Sequence, residues 1–118
     1  MSDVSHLLVE LRKEASSRRY LRPPVILDRG NSFLKARLYI GPDLFVQVYR
    51  NDRYGTTNLV LVWAGRRIYA RDEVGGVWHR HPADDPSVHD TSPEGQRPVT
   101  LGEFLDEVED LLVEMNLL

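Results

Sequence analysis

Between residues 33 and 49 the chain alternates apolar and polar side chains, and a half-buried antiparallel hairpin is the structure that satisfies such a pattern. Leu34, Ala36, Leu38 and Ile40 fall on one side, with Phe33, Lys35, Arg37 and Tyr39 on the other. Gly41-Pro42-Asp43 supplies a turn. Leu44, Val46 and Val48 then resume the apolar side, opposed by Phe45, Gln47 and Tyr49. A sheet with one apolar face must find something apolar to cover it.

Two amphipathic segments at the chain ends can do so. Val4, Leu7, Leu8, Leu11 and Ala15 recur at helical spacing behind Ser2 or Asp3, either of which can cap a helix, and Pro23-Pro24 forbids its continuation. His6 lies beside that stripe and reads as a partly buried or surface residue rather than a ligand. At the other end Thr100 and Glu103 form a capping box, with Val99 placed to staple onto Phe104. Leu101, Phe104, Leu105, Val108, Leu111, Leu112 and Met115 make one apolar stripe, and Asp106, Glu107, Glu109, Asp110 and Glu114 make the outer side acidic.

The remaining strands follow from local signals. Val25-Ile26-Leu27 is an edge strand or a lead-in, stopped by Asp28-Arg29-Gly30-Asn31. Residues 58–64 are apolar on both sides, as in a central strand. Ala64-Gly65 turns into 66–71, where Ile68 and Ala70 are expected on the apolar face and Arg67, Tyr69 and Arg71 opposite. Gly75-Gly76 marks a hairpin into Val77-Trp78-His79-Arg80-His81, which Pro82 ends. Residues 82–98, with Pro82, Pro86, Pro93, Gly95 and Pro98, read as an irregular loop. The expected fold is α+β: an antiparallel meander of four to five strands with N- and C-terminal helices packed on one face, in a single domain spanning residues 1–118.

Composition narrows the function classes. The 118 residues are 42% hydrophobic and 28% charged, as in an ordinary globular domain. Without cysteine there is no disulfide, thiolate metal site or cysteine nucleophile. The first residues lack a signal-peptide layout and the longest apolar run, Leu59 to Ala64, is too short to cross a bilayer, so no membrane association and a cytoplasmic location are expected. Residues 1–82 carry 14 Lys/Arg against 8 Asp/Glu, a balance of +6, whereas 83–118 carry Arg97 against 10 acidic residues, a balance of −9. An anionic partner suits the first part and a basic one the second, although mutual attraction or solvation explains the same split.

The face left uncovered would carry Phe33, Lys35, Arg37, Tyr39, Phe45, Gln47, Tyr49, Arg67, Tyr69 and Arg71. Aromatic rings and guanidinium planes stack unpaired bases, and the cations hold phosphates, so Lys35, Arg37, Tyr39, Tyr49, Arg67, Tyr69 and Arg71 are candidates for RNA binding. Ordinary strand propensity and a homodimer interface use the same residue types. His79 and His81, two apart in a strand, project from one face. They suit an acid–base pair for RNA cleavage, with Arg71 steadying the phosphorane, and that chemistry requires neither cofactor nor metal. They equally suit two ligands of a metal ion, with His89 or an aspartate as a third.

Arg-Asp-Glu at 71–73, Trp-His-Arg-His-Pro at 78–82 and Leu-Gly-Glu-Phe-Leu at 101–105 stand in an order that resembles the TumE-like group of small toxins from prokaryotic toxin–antitoxin pairs. The likeness covers roughly residues 25–118. It implies a toxin acting on RNA, a ribonuclease by this reading, and a cognate antitoxin as partner. The alternatives from other classes are a non-catalytic homodimeric interaction module and a histidine-based metal-binding protein.

Overall fold

The computed structural model describes residues 3–118. Helix α1 (Val4–Ser17) leads into six strands, β1 (Val25–Arg29), β2 (Phe33–Gly41), β3 (Leu44–Asn51), β4 (Thr56–Trp63), β5 (Arg66–Val74) and β6 (Val77–His81), and helix α2 (Leu101–Glu114) closes the chain. The sheet is an antiparallel meander in which every strand pairs with its neighbour in sequence, in the order β1-β2-β3-β4-β5-β6. The expected α+β architecture is present. The strand count is six because Val25–Arg29 is a true edge strand, exposed along its whole length, rather than a lead-in.

Both helices lie on the same face of the sheet. Leu34, Ala36 and Leu38 of β2, Val46 and Val48 of β3, and Leu59 and Leu61 of β4 form one buried cluster with Leu7 and Leu11 of α1 and Phe104, Leu105 and Val108 of α2. Asp3 caps α1 by accepting the His6 N–H at 2.7 Å, while Ser2, the other expected cap, lies outside the described residues. The capping box of α2 forms as expected, with Thr100 and Glu103 bonding each other's backbone. Helix α1 ends at Ser17, before Pro23, where Arg18 turns extended and reaches Glu14, the Gly102 carbonyl and Asp106. One guanidinium thus joins the end of α1 to the start of α2.

The expectation for β5 fails, and a single residue explains why. Trp63 pairs with Arg66 and Val62 with Arg67, but Leu61 pairs with Tyr69, so Ile68 is extra. In a regular hairpin Leu61 would face Ile68 and Leu59 would face Ala70. The bulge advances β5 by one position and exchanges its faces beyond that point. Tyr69, Arg71 and Glu73 therefore point toward the helices, and Ala70 and Asp72 toward the uncovered face.

Candidate functional site

Register converts the uncovered face into straight ranks of side chains. One rank runs Lys35, Tyr49, Asn58, Asp72, His79, each residue opposite the next across adjacent strands. The next runs Arg37, Gln47, Val60, Ala70, His81. A bridge between Arg80 and Asp90 folds the loop back along β6, and its antiparallel register sets His89 beside His81. Two groups thus share the face: a cationic and aromatic group on β2 and β3, and a histidine group on β5, β6 and the loop. Three strand spacings separate β3 from β6, about 14 Å.

In the first group Arg37 lies 4.3 Å over the Phe45 ring and donates to Gln47 at 3.1 Å and to the Tyr39 hydroxyl at 3.0 Å. Tyr39 and Phe45 meet at 5.2 Å between centroids. These contacts leave the guanidinium plane and rings fixed and half-buried along the face. Lys35, Tyr39, Tyr49 and Arg37 sit where the alternation placed them. Arg67, paired with Val62, is on the same face at the histidine end.

In the second group the His79 and His89 rings stack at 4.8 Å with their planes 4° apart, and His81 meets each edge-on, at 5.2 Å and 4.5 Å. One ligand nitrogen from each of the three lies within 4.8 Å of the others. His81 is 2% exposed. Its Nδ1 is 3.0 Å from the Pro86 carbonyl, which only accepts, so Nδ1 carries the hydrogen and Nε2 holds the lone pair of the neutral ring. That Nε2 lies 3.2 Å from Asp72 Oδ2, with His79 Nε2 at 3.8 Å from the same oxygen. Burial, opposed by His81, His79 and Arg67, raises the Asp72 pKa, and its Oδ1 has no hydrogen-bond partner among the described residues. Burial, reinforced by Arg67, lowers the His81 pKa.

Two expected members of these groups lie elsewhere: the bulge at Ile68 turns Tyr69 and Arg71 toward α2, and the Gly75-Gly76 hairpin pairs Arg71 with Arg80, on the side away from His79 and His81. Tyr69 stacks on Phe104 of α2 at 5.7 Å and donates to Glu107 at 3.0 Å. Arg71, wholly buried, donates to Glu107 at 2.6 and 3.0 Å and to Glu94 at 2.7 and 3.1 Å. Burial opposes its charge, but the bonds to Glu107 and Glu94 outweigh this and hold its pKa above the usual value. Neither residue can stack a base on the uncovered face, and Arg71 cannot steady a phosphate beside the histidines. The residue that sequence reasoning left out of the site is Asp72. Its signal in the sequence was the two-residue Gly75-Gly76 turn, which pairs Val74 with Val77 and hence Asp72 with His79, whatever the phase of β5 against β4.

No helix among the described residues is long and apolar enough to cross a membrane. No family model, curated protein or solved structure matches the chain.

Proposed function

We propose that this protein holds single-stranded RNA across its uncovered sheet face, as the RNA-directed member of a toxin–antitoxin type of pair, with cleavage at the histidine group. The observation that carries the reading is the shared face. Lys35, Arg37, Tyr39, Phe45 and Tyr49 form a track that runs by strand register into Asp72, His79 and His81. Stacking on preset rings and the Arg37 plane is tolerant of sequence, and Lys35, Arg37 and Arg67 supply phosphate contacts along the track. His79 and His89 are the more accessible imidazoles at its end, with His81 beneath them. The cognate antitoxin of this reading would meet the acidic outer side of α2, where the exposed Asp110 and Glu114 suit a basic partner.

Fluorescence anisotropy with a labelled single-stranded RNA tests the binding. Three phosphate contacts predict a loss of about twentyfold in affinity between about 50 and about 200 mM salt. Arg37→Ala with Tyr49→Ala should weaken binding further at either salt. Salt-insensitive self-association of the protein, with no RNA retained, would instead identify the face as a homodimer interface.

A further inference from the structure

The Asp72–His81 pair has a lone pair facing a lone pair. With Nδ1 committed to the Pro86 carbonyl, the neutral His81 ring presents only its Nε2 lone pair to Asp72 Oδ2, 3.2 Å away. Two acceptors at that distance in a buried setting need a cation between them, either a proton or a metal. Around this pair converge His79 Nε2 on the same carboxylate oxygen, the stacked His89, and the unpartnered Oδ1 of Asp72. We infer that Asp72, His79, His81 and His89 form a binding site for one divalent transition-metal ion of the zinc class.

The donor set selects the metal. Three imidazole nitrogens and one carboxylate suit zinc, copper, nickel or cobalt and are poor for magnesium or calcium, which prefer oxygen. The Pro86 carbonyl on His81 Nδ1 is the outer partner that fixes the tautomer of a metal-binding histidine and directs Nε2 inward. Around a tetrahedral zinc ion with bonds of about 2.0–2.1 Å, ligand atoms lie about 3.3 Å apart. The Asp72–His81 and Asp72–His79 separations of 3.2 and 3.8 Å are already near this. His89, on the exposed loop, has the freedom to complete the set by a side-chain rotation. Arg67 is the opposing charge: it donates to the Pro86 carbonyl and acts on both Asp72 and His81.

The site deepens the RNA reading by making the histidines ligands rather than proton carriers, so that any cleavage there is metal-assisted. The site itself rests on the geometry of the four side chains and not on RNA binding. The test uses untagged full-length protein stripped with a chelator, titrated calorimetrically with zinc and spectroscopically with cobalt. One equivalent should bind, with a tetrahedral-type cobalt absorption band and a higher Tm. Asp72→Asn and His89→Ala, chosen because neither removes a buried apolar group, should each weaken zinc by at least about 10- to 100-fold. Circular dichroism of each variant verifies the fold. Absence of zinc uptake at tens of micromolar, or unchanged affinity in both folded variants, overturns the site and leaves a shared proton in its place. RNA anisotropy on the same stripped protein keeps the two readings apart. Zinc uptake without RNA binding retires the RNA reading alone, and RNA binding without zinc uptake retires the metal site alone.

Discussion

Arg71 and Glu107 lock β5 to α2 through two charge-assisted hydrogen bonds, Nη2 to Oε2 at 2.6 Å and Nε to Oε1 at 3.0 Å. The guanidinium is wholly buried and the carboxylate mostly so, and Tyr69 donates to the same carboxylate. Truncating Arg71 leaves the Glu107 carboxylate with only the longer Arg97 contact, at 3.5 Å, as a charge partner, which is costlier than never having had the pair. Arg71→Met should therefore destabilise the protein by about 3 kcal/mol in urea unfolding. Combining it with Glu107→Leu should recover a good part of that loss. Equal destabilisation by the single and double substitutions would show that packing, not the stranded charge, sets the cost.

The reading of Arg71 as a site residue shows where sequence legibility ended. Alternation over 33–49 was long enough to fix both faces of β2 and β3, and the helical stripes and capping box located α1 and α2. The segment 66–71 offered no such weight. Ile68 and Ala70 are a short apolar pair, while Tyr69 and Arg71 could as well be buried if they found a partner, and Glu107 lies 36 residues further on. A bulge shifts side chains without leaving a mark in composition, so the phase was hidden until Leu61 was seen to pair with Tyr69. Asp72 was hidden by no such shift, since the Gly75-Gly76 turn alone pairs it with His79. The histidines were legible because His79 and His81 share a face in any register, but His89 joins them only through the bridge of Asp90 to Arg80.

The bulge makes an unusual expectation for a deletion. Removing Ile68 leaves Arg67 opposite Val62 and Tyr69 opposite Leu61, a regular ladder with no change of phase. Tyr69 and Arg71 should still meet α2, and the cost should be that of one half-buried apolar side chain, about 1–2 kcal/mol. Near-ultraviolet circular dichroism, which reports the Tyr69–Phe104 stack, should be retained. Loss of that signal would mean that the extra residue supplies a twist the sheet needs.

Helix α2 carries much of the cover over the sheet, and its start depends on the reciprocal bonds of Thr100 and Glu103, at 3.1 and 2.9 Å. Thr100→Ala leaves both the Glu103 N–H without its cap and the first turn looser. A loss of about 1 kcal/mol is expected, and Thr100→Ser should restore most of it. Thermal unfolding of the three proteins side by side decides the matter, since a loss unrepaired by serine would assign the effect to the threonine methyl.

Acid should release the histidine-bearing loop before it unfolds the core. Hydrogen bonds from Ser92, followed by the Arg80 guanidinium at 2.5 and 2.9 Å, hold the Asp90 carboxyl down to about 2. An unfolded aspartate titrates near 3.9. The folded pKa is thus the lower of the two, so the stabilisation is complete above the unfolded value and is lost as pH falls through about 2. Glu94, lowered by hydrogen bonds from Arg97 and Arg71, has the same sign. The Arg80–Asp90 side-chain pair buttresses the backbone bridge that sets His89 beside His81, so its loss should loosen His89 from the group. Carboxyl chemical shifts should show Asp90 titrating near the bottom of the range, and exchange protection of the Asp90 amide should fall in the same window. Asp90→Asn removes the charge at every pH. It should give the low-pH loop behaviour at neutral pH and, if His89 is a ligand, weaken zinc uptake without altering the Tm of the chelated protein by more than a few degrees. Retention of full amide protection in that variant would show that the backbone bridge alone holds the loop.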